Sequence, residues 1–489
     1  MKNLLNIVLI VGLLVSITAC EDYLDLSPIS EETSDVAYEN ASQIEAALTG
    51  AYESFQAEYY VWDNVLFQDV RSDNHYAGGD NPEIFQIDWL EVSPTNSRLF
   101  TNWSNIYNAI AKANVVIEKA PLVNDPNLSE NRRKQIIGEA YFLRAYHYYT
   151  LVNNWGGVPL VLNFTSSAAP EDTQLPRSSS EEVFTQILED LVIAIENLPD
   201  TYGSDASVNK ARASFGAANA LAAKASLQKP NPDYETALDY INAVENSSAS
   251  YRLIPYNQLF DGNNYNNAES ILEVQYLGGN EGNFGPQLVL PPSISGDSWR
   301  KFITPSHDLV EAFDSENDTI RKNATILFET VNWVDEYWGN APGSEVPFAY
   351  KWKSADSWAS SNRPYLLRYG DIVLLKAEAL ARLNRLGEAA TEVNRIRDRA
   401  NLPDLPASIV ANQENMLAAI LKERRLELAQ ESERWNDLVR YGKVVEVMNN
   451  LNEIDLRTGE PTNYQMSQDK ILLPIPQEEL DRNPNLDPN

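Results

Sequence analysis

From Met416 to Gly442 the chain reads MLAAILKERRLELAQESERWNDLVRYG. Leu417, Leu421, Leu428, Trp435 and Leu438 follow at intervals of 4, 7, 7 and 3, which sets them along one stripe of a helix. Between them stand Glu423, Arg424, Arg425, Glu427, Arg434, Asp437 and Arg440. Arg424 with Glu427, and Asp437 with Arg440, are placed to pair at i,i+3. Gly442 falls where the stripe ends, as a C′ glycine does. The spacing predicts a single helix over Leu417–Gly442, about 39 Å long at about 1.5 Å per residue, with its charges on a solvated face. No single local neighbour covers a helix of that length, so the rest of the chain must supply a helical frame.

Further helices are legible. Glu39–Phe55 carries Ile44, Leu48, Ala51 and Phe55 on one stripe, and Trp103–Lys119 ends before Pro121. Asn131–Asn153 is tyrosine-rich and is stopped by Gly156, Gly157 and Pro159. Ser179 with Glu182 forms a capping box that opens a helix to Leu198. Ala211–Gln228, Asp233–Asn246, Asp371–Leu383 and Glu388–Ala400 complete the set. Taken in order these are four helix pairs. Small residues (ANALAAKA, AEALARL) let partners approach closely, which is the tetratricopeptide logic. Pairs of this kind bury a continuous core by stacking once there are three or more. The expected fold is therefore mostly α. Array segments at residues 39–250 and 365–442 flank an irregular aromatic insertion at 251–364. Strand-like pieces stand in that insertion at Ser270–Tyr276 and Pro347–Lys353, and KILLPIP near the C-terminus reads as a short strand or docked segment.

Net charge is −32, from 38 basic and 70 acidic residues, which argues against nucleic acid or an anionic bilayer surface as partner. One cysteine excludes internal disulfides and cysteine metal clusters. His75, His147 and His307 are too scattered for a histidine metal motif. Asp314, Glu316 and Asp318 alternate like a calcium loop but lack its glycine and its closing glutamate, and read as a solvated acidic turn. There is no phosphate-binding glycine motif, and no metal or cofactor is expected.

Three blocks carry a family resemblance. ERRLELA followed by ERWNDLVRYG, FLRA-x-x-Y followed by GGVPL, and D-x-L-D-x-x-P followed by GAY resemble the SusD/RagB family of outer-membrane glycan-binding lipoproteins. Residues 1–19 read as a signal peptide, too short and too one-sided in its flanks for a membrane span. The sequence ITAC that closes it is similar to a lipobox, which makes Cys20 the expected lipidation site and residues 20–38 a tether. By the same resemblance, residues 39–489 are expected to form the SusD-like part. The resemblance implies a non-catalytic, lipid-anchored protein on the outer face of the outer membrane. Such a protein captures polysaccharide or oligosaccharide and delivers it to a SusC-like TonB-dependent porin.

Sugar rings present flat C–H faces that stack on aromatic rings, and their hydroxyls take polar partners. Trp299, Trp338 and Trp358 stand beside Gly, Ser, Asn and Asp and are the expected stacking residues. Trp155, Trp352 and Trp435 are expected in the core. In the resembling family an acidic residue of the N-terminal loop commonly helps bind sugar. Asp73 and Asn74 occupy that place, and Arg71 offers two donors to adjacent hydroxyls; a solvated turn is the equal alternative. The acidic charge favours a neutral glycan such as a β-glucan. A surface glycoside hydrolase and a peptide-binding scaffold lipoprotein remain as other classes.

Overall fold

The computed structural model describes residues 38–164, 167, 169–333, 338, 342–455 and 459–488. The expected signal peptide, Cys20 and all but the last residue of the tether lie outside them. Eight helices build the frame: α1 (Ala41–Tyr52), α2 (Ser97–Lys119), α3 (Glu130–Trp155), α4 (Ser180–Asn197), α5 (Phe215–Gln228), α6 (Tyr234–Glu245), α7 (Tyr369–Arg382) and α8 (Leu386–Arg399). They pack as the four expected pairs, and α2 on α3, α4 on α5 and α6 on α7 join the pairs into one array.

Local chemistry starts these helices where they start. Asn40 and Ser179 each close a capping box, and Ser129 and Asp233 cap α3 and α6. α5 is buried on all sides because its alanines present almost no bulk to α4, α6 and α7. Its Leu221 is wholly buried, a position where truncation to alanine costs about 2–5 kcal/mol.

The expected long helix is two helices, α9 (Gln413–Leu428) and α10 (Arg434–Arg440). Gln430 and Ser432 between them are left-handed, at φ 68° and 63°. The Asp69 carboxylate causes the break to persist. It accepts the backbone N–H of Gln430 at 3.1 Å and of Ser432 at 3.0 Å, in place of helical carbonyls. The charged face is not solvated either: Glu423, Arg424, Arg425, Glu427, Arg434 and Asp437 are buried. Arg424 bypasses Glu427 and bonds Asp371 and Asp437, each at 2.8 Å. Glu427 meets Arg368 at 2.7 Å, while the expected Asp437–Arg440 pair forms at 2.7 Å. A helix in the middle of the molecule has no solvent to hydrate its charges, so they take opposite charges from neighbouring elements.

Six short strands serve the insertion: β1 (His75–Ala77), β2 (Ser270–Glu273), β3 (Ile303–Pro305), β4 (Ile326–Thr330), β5 (Glu345–Ala349) and β6 (Tyr365–Arg368). They pair antiparallel as β1–β3, β2–β6 and β4–β5. The second expected strand thus begins at Glu345 and ends at Ala349, short of Lys353. KILLPIP is a docked segment. Leu473 N donates to the Asn154 carbonyl at 2.8 Å, and the indoles of Trp155 and Trp435 donate to Pro474 and Ile471, each at 3.1 Å. The expected acidic turn is tied into the frame as well: Asp314 pairs with Lys322, Glu316 with Arg397 and Lys422, and Asp318 with Arg321.

Candidate functional site

An aromatic row runs from the insertion to the buried Trp62 outside it. Trp299 is half-buried, and its ring lies 5.2 Å from that of Phe302, which in turn is 5.7 Å from Trp62. The Arg98 guanidinium covers Trp62 at 4.6 Å and bonds the buried Asp63 at 2.7 Å. Burial pushes the Asp63 carboxyl up to about 7 against the pull of Arg98. The Lys301 ammonium sits 3.8 Å from the Trp299 ring and donates to the Gln287 carbonyl. Burial brings its pKa down to about 8 against the pull of Asp297. The end of the N-terminal loop packs closely against this row, with Gly78 N donating to the Phe302 carbonyl. A Cβ on Gly78 would meet the Lys301 carbonyl at 1.9 Å; one on Gly79, at φ 68°, would meet the Phe302 ring at 2.5 Å. Those two glycines let the loop lie flat against the segment that carries Trp299, and Asp80 follows them exposed.

Trp358 is the most solvent-facing of the expected tryptophans, 48% exposed. It stands in a run of three left-handed residues, Asp356, Ser357 and Trp358, at φ 44°, 54° and 75°. Such backbone persists where its surroundings over-determine it, commonly at ligand clamps. Here Asn283 and Ser360 exchange backbone hydrogen bonds at 2.7 and 3.1 Å, and Asn362 Oδ1 accepts from Lys353 N and Ser354 N. A Cβ on Gly282 would come within 2.4 Å of Ala359 Cα. Leu277, 65% exposed, rides on the same loop.

Trp338 is half-buried and stacked on His307, with centroids 3.8 Å apart and planes 25° from parallel. Phe328 meets it edge-on. Trp299 and Trp338 thus mark the two ends of β3, since the 299–302 segment enters that strand and His307 leaves it. Ser293 N donates to Glu329 at 3.2 Å and ties the Trp299 segment to β4. The Trp358 turn packs on residues 285–289, whose Gln287 reaches back to Ser295. All three tryptophans therefore lie on the insertion. Trp155, Trp352 and Trp435 are in the core, as expected.

Arg71, Asp73 and Asn74 are not at a surface, and the expectation that they meet ligand from solvent is corrected. All three are buried. Asp73 takes two bonds from Arg434, at 2.7 and 2.6 Å, and faces Arg425 at 3.3 Å. Burial opposes its ionisation, but the two guanidiniums outweigh burial and hold its carboxyl down at about 2. Asn74 links Asp69 to Arg425, each at 2.8 Å. Arg71 lies over the Trp435 ring at 4.2 Å and donates to the Lys470 carbonyl. The loop composition that suggests a solvated turn is instead what lets it enter the ion network of α9 and α10. Sequence reading missed Trp62, Phe302 and the Gly78–Gly79 contact; the glycine pair is the one local signal that marks a close approach there. Among the described residues, no group of three His, Cys, Asp or Glu side chains is placed to hold a metal ion.

Residues 268–489 match the SusD family, and residues 22–227 match a family described as "Starch-binding associating with outer membrane". SusD-like protein P38 of Formosa agariphila is 29% identical over 100% of this chain and 99% of its own. The starch-binding protein SusD of Bacteroides thetaiotaomicron is 23% identical over 100% and 98%. Among solved structures, a laminarin-binding SusD-like protein superposes with a TM-score of 0.74 at 27% identity, covering 92% of this chain and 99% of that one. A SusD homologue from B. thetaiotaomicron gives a TM-score of 0.78 at 22% identity, covering 94% and 99%. Two family matches, which together cover most of the chain, make this protein a member of the SusD/RagB family.

Proposed function

We propose that this protein is a non-catalytic glycan-binding lipoprotein of the outer-membrane surface, anchored through Cys20, that hands captured glycan to a TonB-dependent transporter. The observation that carries the binding role is the aromatic insertion face: Trp358 held out on a fixed left-handed turn, with Trp299 and Phe302 on the same insertion. Flat rings beside amide and carboxylate groups suit sugar C–H faces and hydroxyls. The names of relatives that bind starch or laminarin support the same ligand class. Outer-membrane association is in the description of the family matched by residues 22–227.

A neutral glycan, with a β-glucan first among them, fits a chain of net charge −32. Three carboxylates at the aromatic row are engaged, Asp63 and Glu58 by Arg98 and Asp297 by Lys301, which supports binding over hydrolysis. A shallow stacking site gives affinities on the order of micromolar to millimolar, raised by repeated engagement along a polymer. Affinity electrophoresis of the soluble chain lacking Cys20 tests this. Laminarin and starch gels should retard it while polyuronate gels do not; retardation by polyuronates alone overturns the neutral-glycan reading. Release of reducing ends from a retained polymer would replace binding with hydrolysis.

A further inference from the structure

A trough of about 720 Å³ runs along the middle of α2, and none of its lining residues belongs to the insertion. Its floor is the outward stripe of that helix, where Asn105, Asn108, Ala111, Lys112 and Val115 recur at helical spacing. One wall is the turn at Glu53–Gln56 after α1; the other is the segment 161–164 after α3. The volume is in the usual range of small-molecule sites, roughly 300–1,000 Å³. Glu53 and Gln56 also line a neighbouring hollow of about 390 Å³ between α1 and β2, so the turn has open space on both sides.

Buried side chains hold the second wall from behind. Arg144 donates to the Leu162 carbonyl and Asn114 to the Val161 carbonyl, each at 2.8 Å, and the Tyr148 hydroxyl accepts from Val161 N at 2.6 Å. The trough is therefore preformed, as small-molecule sites usually are. Its rim charges cancel, since Lys112 meets Glu53 at 3.5 Å. Neutral amides remain. Asn102 and Asn114, on the inward side of α2, bond Asp63 and Val161. Asn105 and Asn108, on the trough side, have no hydrogen-bond partner among the described residues, and nor do the side chains of Gln56 and Asn163. These amides reach solvent: Gln56, Asn108 and Asn163 are exposed and Asn105 is half-buried. Asparagine is a poor helix former because its side chain competes for backbone bonds, so two in mid-helix weaken α2 without bonding anything in the chain. Half-buried Phe164, with Val115, Ala111 and Ala57, supplies apolar area beside them.

We infer that this trough is a second carbohydrate site, apart from the insertion face, and that it holds a short stretch of neutral glycan of more than one ring. Amide groups both donate and accept, as the hydroxyls of a sugar do, while the Phe164 ring and its apolar neighbours take C–H faces. With the one ion pair closed on itself, nothing in the trough selects a charged ligand. The inference takes its ligand class from the proposed function and does not use the aromatic face. Two sites on one chain engage one polymer together, which raises retention of long glycan over short.

The test is affinity electrophoresis of the soluble chain lacking Cys20 in laminarin, starch and polyuronate gels. Ala111→Trp fills the trough, and the pair Asn105→Ala and Asn108→Ala removes its amides. Ala111 and Asn108 are exposed and alanine favours the helix, so the variants should melt as the parent does. Combined with Trp358→Ala, which weakens the insertion face, each change should cut the remaining laminarin or starch retention about tenfold. Laminaritriose or maltotriose soaked into crystals should lie in the trough. Retention in neutral gels that both changes leave untouched overturns the inference while the proposed function stands. Retention in no neutral gel, even by the parent, overturns both. Loss confined to polyuronate gels overturns the neutral class, and a soaked crystal with sugar only at the insertion face overturns the site.

Discussion

The Asp69 carboxylate accepts the backbone N–H of Ser432 at 3.0 Å across 363 residues of chain. With its second oxygen on Gln430 N and Asn74 Nδ2, one side chain from the N-terminal loop fixes the break between α9 and α10. Asp69→Asn replaces one acceptor oxygen by a donor aimed at backbone N–H groups. It should lower the stability of the chain by about 1–3 kcal/mol, read as an earlier denaturant midpoint with an unchanged slope. An unaltered midpoint would mean that the break is held by other contacts.

Asp73 sets an acid limit. Its folded carboxyl, at about 2, lies below the usual 3.8 because Arg425 and Arg434 outweigh burial. A lowered folded pKa stabilises above about pH 4, where both states are ionised, and that stability is lost as pH falls through 2. The thermal midpoint should therefore drop between about pH 4 and 2. Asp73→Asn should flatten that part of the profile while costing about 3–5 kcal/mol at neutral pH, because the buried Arg434 guanidinium loses its carboxylate while Arg425 keeps Asp308.

Glu453 acts in the opposite sense. Burial, then Asp88, Asp308 and Asp73, push its carboxyl up to about 9, and both its oxygens lack partners among the described residues. Between the usual 4.5 and about 9 the folded chain keeps a proton that the unfolded chain has released, so stability falls as pH rises through that window. Glu453→Gln cannot ionise. The variant should melt higher than the parent at pH 8, with the difference shrinking toward pH 5; equal melting at both would place the Glu453 carboxyl in the ordinary range.

Arg71 separates a structural role from a binding one. Its guanidinium is buried over Trp435 and bonds only a backbone carbonyl among the described residues. Without a carboxylate partner, burial brings its pKa down to about 9. Arg71→Met keeps the apolar stem and removes the buried charge, a change that is often neutral or stabilising. Laminarin retardation in affinity gels should be the same as for the parent. A lost shift with an unchanged melting point would return Arg71 to the binding site.

The helix pairs were legible because their signals are local: a capping box at Ser179, small residues along α5, and proline after α2. The burial of Trp155 and Trp435 followed from their place inside helical stripes. The break after Leu428 was not legible, since its cause, Asp69, is remote in sequence. The polar loop at residues 69–76 misled for the same reason. Asp and Asn report a need for hydrogen bonds, and nothing near them in sequence says whether water or Arg425 and Arg434 supply those bonds. Trp62 gave no cue either, because it faces Phe302 from 240 positions away in the chain.

Trp358 and Gly282 offer a paired test of whether the left-handed turn matters to binding. Trp358 is half in solvent, so Trp358→Ala removes stacking area with little effect on the core and should leave the melting point within a few degrees. Loss of one stacked ring should weaken laminarin retention about tenfold, equivalent to about 1.4 kcal/mol. Gly282→Ala leaves Trp358 in place but drives a methyl into the Ala359 backbone at 2.4 Å, which must shift the turn. If a fixed ring orientation matters, Gly282→Ala should approach the retention of Trp358→Ala, and the double variant should be no weaker than Trp358→Ala alone. Full retention in Gly282→Ala, with loss in Trp358→Ala, would show that the indole binds without being held in one orientation. Additive losses would place an independent contact on the 278–283 loop, with exposed Leu277 beside it the first residue to substitute.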